Sequence, residues 1–160
     1  MDLRAAYATD NTAEQKGRWF ENGDVEFLIA RSGNRKYNDL MSSQFTTYKH
    51  TLDQKDTPEA RDIANDRAEK ITIFVMARAT LLGWRGLPKK DADGNVIEGA
   101  VGKIMFGSEE LPYSTDNAAR LLALKDFRAF VAAKADDFKN YLEAVKEEDT
   151  KNSVPTTTGS

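Results

Sequence analysis

The side chains best suited to chemistry in this chain are few and scattered. Asp91-Ala-Asp-Gly-Asn95 opens like a calcium loop, with alternating oxygen ligands. The rest of that pattern is missing. Its glycine comes too early, Val96 stands where the turn glycine belongs, and the twelfth position is Gly102 instead of a glutamate. A polar turn is the reading that fits. His50 is the one histidine, so a His-pair metal site is ruled out and any triad or histidine base would rest on it alone. It lies between Lys49 and Thr51 on the flank of a predicted helix, where a solvent-exposed imidazole is expected. Carboxylates occur in pairs at Glu109-Glu110, Asp136-Asp137 and Glu147-Glu148. Acid/base hydrolysis needs such pairs in a cleft that perturbs their pKa values; on amphipathic helices they form a solvated face. Gly83, Gly86, Gly99, Gly102 and Gly107 match neither the phosphate-loop nor the dinucleotide spacing. No cysteine is present, which excludes disulfides, thiolate zinc sites and thiol nucleophiles. No catalytic, metal or cofactor-binding set is assigned, and no cofactor is expected.

The totals bound the remaining choices. A chain of 160 residues suits one domain with a real core. A net charge of -3 argues against a bulk basic field for nucleic acid. The basic clusters are Lys89-Lys90 and Arg31/Arg35/Lys36, both read as solvated surface. The N-terminus lacks the apolar run of a signal peptide. The longest mostly apolar stretch, Ile71 to Ala77, is stopped by Arg78 and is far too short to span a bilayer. The expectation is a soluble intracellular protein that binds neither nucleic acid nor membrane.

Residues 1–16 read as a flexible arm, 17–147 as a single globular domain and 148–160 as a disordered tail. Asn22-Gly23 predicts a two-residue hairpin turn that sets Glu21 opposite Asp24, Phe20 opposite Val25 and Arg18 opposite Phe27. Phe20, Val25, Phe27 and Ile29 then share one face, and Trp19 and Leu28 the other. The spacing of Tyr37, Leu40, Met41, Gln44, Phe45, Tyr48 and Leu52 predicts a helix, capped by Ser32 or Asn34. A second helix starts at Thr57-Pro58 and runs to about Leu82, with Gly83 as its C-cap. Its expected apolar face is Ile63, Ala64, Ala68, Ile71, Phe74, Val75 and Leu82. Val96-Ile97 and Val101 to Phe106 leave room for a second small hairpin around the Asp91 turn. Ser114 caps a further helical stretch, Ala118 to Val145, with Asp126 a point of interruption.

The fold class is α+β, mainly α: an N-terminal hairpin, a second small hairpin and three to four amphipathic helices. The hairpin and helix faces carry apolar side chains without accompanying chemistry, which suits a protein that handles other proteins. The candidate protein-binding residues are Trp19, Phe20, Phe27, Met41, Phe45 and Trp84. For the two tryptophans, anchoring a core is the commoner role. Met76 and Met105 are further candidates, since methionine adapts to varied partners.

Three segments, in order and spacing, resemble the tail assembly chaperones of long-tailed bacteriophages. They are Phe27-Leu-Ile-Ala-Arg-Ser-Gly-Asn-Arg-Lys-Tyr37, Leu81-Leu-Gly-Trp-Arg-Gly-Leu87 with its following Asp-Gly turn, and Leu111-Pro-Tyr-Ser-Thr-Asp-Asn-Ala-Ala-Arg-Leu-Leu122. The stretch from Gly99 to Phe106 is longer than the family pattern leads one to expect. The resemblance implies a non-enzymatic protein of the host cytoplasm that binds the tape-measure protein, helps recruit tail-tube protein and is absent from the mature virion. It leaves room for self-association. Two rivals are a structural minor tail or adaptor protein kept in the virion and a small hydrolase or nuclease using the acidic pairs.

Overall fold

The computed structural model describes residues 1–143, and its first sheet begins with the expected hairpin. Strands β1 (Arg18–Asn22) and β2 (Val25–Ile29) pair antiparallel, but the turn lies one residue later than predicted. Asn22 faces Val25, which leaves Gly23-Asp24 as the turn. Gly23 has a φ of 67° and, among the described residues, no non-glycine residue, Asp24 included, has a positive φ, as a type II′ turn requires and a type I′ turn forbids. Each β1 residue therefore meets a partner two places further along β2, so that Arg18 faces Ile29 and Phe20 faces Phe27. Two is an even step, so the faces survive: Phe20, Val25, Phe27 and Ile29 share one, and Trp19 opposes Leu28 on the other. The like-charged pair is Glu21 with Glu26, and Arg85 relieves it by pairing with Glu26.

Helix α5 (Pro58–Ala79) starts as expected, with the Thr57 hydroxyl accepting from the Ala60 amide and Pro58 in the first turn. It ends three residues early. Leu81–Gly86 is strand β3, paired antiparallel with β2 so that Phe27 faces Trp84 and Leu28 faces Gly83. Gly83 is thus a strand residue, not a helix cap, and Trp84 follows no helix end. Continuing the helix would leave β1 and β2 as an isolated ribbon, which is marginal in water. The third strand gives β2 neighbours on both sides and buries Leu81 completely.

The single helix expected from Tyr37 to Leu52 is two, α3 (Arg35–Thr47) and α4 (Lys49–Asp53), broken at Tyr48. Asn34 is the cap of α3, its Oδ1 accepting from the Tyr37 amide. The expected flexible arm is instead folded onto the body. It forms α1 (Leu3–Tyr7) and α2 (Asn11–Lys16), capped by Asp2 and Asp10. Thr9 bridges Leu142, the Asp10 amide donates to the Tyr141 carbonyl, and Tyr7 stacks on Phe138 at 5.6 Å.

The second hairpin is present as β4 (Pro88–Lys90) and β5 (Val96–Val101) around the Asp91 turn. A third, very short one joins β6 (Met105–Phe106) to β7 (Glu109–Glu110). Ser114 caps α6 (Thr115–Leu122), as expected. The break before α7 (Lys125–Asp136) falls at Ala123-Leu124, which leaves Asp126 inside the first turn instead of capping it. A 3-10 turn, Phe138–Tyr141, follows. Val145 and the expected disordered tail lie outside the described residues. Among the described residues, no helix is long and apolar enough to cross a membrane.

Two cores share α5. On one side Val25, Phe27 and Ile29 of the sheet pack with Met76 and Ala77 and with Leu122, Val131 and Ala135 of α6 and α7. On the other, Ile71, Val75 and Ala79 pack under α3 and α4. A helix between two cores is apolar on two sides, so the single face expected from the sequence was incomplete. Met76 and Ala77 belong to the inside, and Ile63 is 61 % exposed.

Candidate protein-binding groove

The second core is thin on its α3 side. Helix α3 has the apolar spacing of a packed helix, yet none of its thirteen residues is fully buried. Tyr37, Leu40, Met41 and, past its end, Tyr48 reach only half-buried positions against α5, alongside Phe74. Phe45, one turn beyond Met41 on the same flank, is 47 % exposed. The result is a part-covered apolar face, the α3–α5 groove, made by Met41, Tyr48 and Phe74, with Phe45 exposed one turn further along α3. Two guanidiniums border it. Arg67 lies 4.2 Å above the Tyr48 ring and Arg78 3.5 Å above the Phe74 ring. Arg78 also donates to the Phe74 carbonyl one turn back.

Of the six candidate residues, Met41 packs against the α5 cluster and Phe45 follows it one turn along α3, and the others lie elsewhere. Phe27 is 3 % exposed and sits at the centre of an aromatic cluster with Phe127, Phe130 and Trp84. Its role is packing, not contact with a partner. Trp84 is half-buried, its ring edge-on to Tyr113 at 5.0 Å and its Nε1 donating to the Leu111 carbonyl. Phe20 leans on Tyr141. Trp19 is on the outer face of the sheet, 38 % exposed, with the Arg85 guanidinium 3.9 Å above its ring. Met76 is core and Met105 is 49 % exposed on β6, remote in sequence from the groove-forming helices. His50 is exposed on α4. In the 91–95 turn the Asp91 carboxylate accepts from the amides of Asp93 and Asn95, so its hydrogen bonds shape the loop.

Two residues that tie elements together, Asn34 beside the groove and Tyr141 on the sheet side, escaped the sequence reading in part or whole. Asn34 does more than cap. Its Nδ2 donates to the Arg31 carbonyl at 2.7 Å and to the Ala79 carbonyl at 2.9 Å, which ties the start of α3 to the end of α5. Tyr141, fully buried, donates its hydroxyl to the Ile29 carbonyl and fastens the C-terminal turn to β2. Burial pushes its pKa up. The only local signal for it was the three-residue step from Phe138, the period of a 3-10 turn. The three segments carrying the family resemblance converge on one place: Phe27, Trp84 and the Leu111–Tyr113 pair touch in sequence of contact.

These features define a small α+β protein whose candidate site is an apolar helical surface. Residues 32–152, about three quarters of the chain, match the family described as YdaY prophage protein. The chain belongs to that family and is therefore phage-derived. No curated protein and no solved structure matched it.

Proposed function

We propose that this protein is a tail assembly chaperone that binds the tape-measure protein through the α3–α5 groove. The observation that carries the reading is a well-patterned helix, α3, with no fully buried residue and with Phe45 half in solvent. An apolar stripe left part-covered between two helices suits a third, amphipathic helix laid along it. Prophage origin supports the setting, and the three converging segments support the kinship with tail assembly proteins. The action is reversible contact without catalysis or cofactor, in the host cytoplasm during assembly. Tail-tube protein is the second partner, and no copies remain in the virion.

Co-expression with the tape-measure protein of the same prophage tests this. The expected result is a soluble tape measure that co-elutes with this chain and is lost on Phe45→Ser. A tape measure that stays insoluble and unbound overturns the reading. A stoichiometric band of this chain in purified particles would instead place it among structural tail proteins.

A further inference from the structure

The two arginines beside the groove differ from the buried and half-buried arginines elsewhere. Arg18, Arg31 and Arg128 each lie within 4 Å of a carboxylate. Arg67 and Arg78 are half-buried too, yet among the described residues neither has an ion-pair partner. Each instead rests on the face of a groove aromatic, and although one Nη of Arg78 is taken by the Phe74 carbonyl, each guanidinium has further N–H donors to offer an incoming acid. Eleven residues separate them, three turns of helix, so they project from the same side of α5 at about 16 Å apart. Leaving two partly desolvated cations without counter-charge is unfavourable in the free protein and is relieved when carboxylates arrive.

From this juxtaposition we infer that the groove takes an acidic amphipathic helix, its apolar stripe on Phe45 and Phe74 and its carboxylates on Arg67 and Arg78. The occupant then carries Asp or Glu about eleven residues apart on the flank of its apolar stripe, matching the arginine spacing. This rests on the reading of the groove as a docking site, and it names the chemistry of the client segment.

The test uses the full chain and two labelled synthetic helices with the same leucine stripe. One carries Glu at positions eleven apart and the other Lys at the same positions. Fluorescence anisotropy at low salt is expected to show the Glu peptide binding at least tenfold more tightly than the Lys peptide, with the difference shrinking as salt rises. Arg67→Gln with Arg78→Gln should weaken the Glu peptide about tenfold, roughly threefold for each arginine. Arg67→Lys with Arg78→Lys, which keeps the charge, should retain part of it, and unchanged circular dichroism excludes misfolding of either variant. Equal or tighter binding of the Lys peptide overturns the inference. So does an unchanged affinity in the Gln variant, or a dimer of this chain that the Gln variant dissociates, which would make a second copy the occupant. If the double Gln variant still solubilises the tape measure as well as the unaltered chain, the inference fails and the chaperone reading stands. If the Glu peptide binds but the tape measure does not, the chaperone reading fails and the inference stands.

Discussion

At Asn34 the ordinary rules of helix capping give the wrong answer. Asparagine and aspartate are nearly equal as N-caps, so Asn34→Asp would pass as conservative. Here the amide nitrogen faces the carbonyls of Arg31 and Ala79, and the side chain is buried. Aspartate would set a charged oxygen against two carbonyl oxygens. Asn34→Asp is expected to cost about 2–3 kcal/mol, more than Asn34→Ser, which keeps the cap without the charge. Urea unfolding of both variants checks the order, and an Asp variant as stable as wild type would refute it. Tyr141 allows a second prediction, in pH. Its pKa is raised chiefly by burial, and burial raises those of Tyr37 and Tyr113 in the same direction. The folded state therefore holds phenol protons that the unfolded chain releases near pH 10. The stability this contributes is complete below that pH and is lost as pH rises above it. Thermal midpoints should fall steeply between about pH 9 and pH 11, and Tyr141→Phe should make the decline shallower.

At the scale of elements, the crossing of β3, β4 and the β1–β2 turn is the tightest place in the fold. A Cβ on Gly86 would lie 1.9 Å from the Gly102 carbonyl oxygen, and one on Gly102 would lie 1.8 Å from that of Asp24. Both obstacles are backbone, held by the Leu87 amide on Asp24 and the Gly102 amide on Leu87. Gly86→Ala and Gly102→Ala should each cost about 2–3 kcal/mol through forced backbone shifts. Gly83→Ala, whose Cβ would find its nearest neighbour at 3.6 Å, should cost much less, and equal losses at all three would show that the crossing can give way. The sequence made the hairpin, the caps at Thr57 and Ser114 and the α3 stripe legible, because each is written in neighbouring residues. It hid β3, since Leu81-Leu-Gly-Trp alternates too little to be told from a helix end, and only pairing with β2 decides. For the groove, Met41 and Phe45 could be read from their spacing. Arg67 and Arg78 could not, because their meaning depends on which aromatic each covers.

For the molecule as a whole, the division into two cores sets how it opens. The sheet side buries residues from five elements, among them Phe27, Ile29, Met76, Leu122 and Val131. The α3–α4 side buries only Ile71, Val75 and Ala79 of α5 and fully buries nothing of its own. Local stability follows buried apolar contact, so α3 and α4 should unfold from α5 well before the sheet does. Asn34 is the tether that limits this opening at one end. The arrangement would serve the docking role proposed above, because a loosely held helix can adjust its spacing to α5 while the body stays intact. Amide hydrogen exchange reads the difference directly. Protection in residues 35–53 should be at least tenfold lower than in β2 and β3, a gap of about 1.4 kcal/mol or more in opening free energy. Asn34→Ala should widen the gap by exposing the start of α3, whereas Tyr141→Phe, on the other core, should narrow it by lowering protection in β2. Equal protection across α3 and the sheet would mean that the molecule opens only as one unit, and that the groove's width is fixed before any partner arrives.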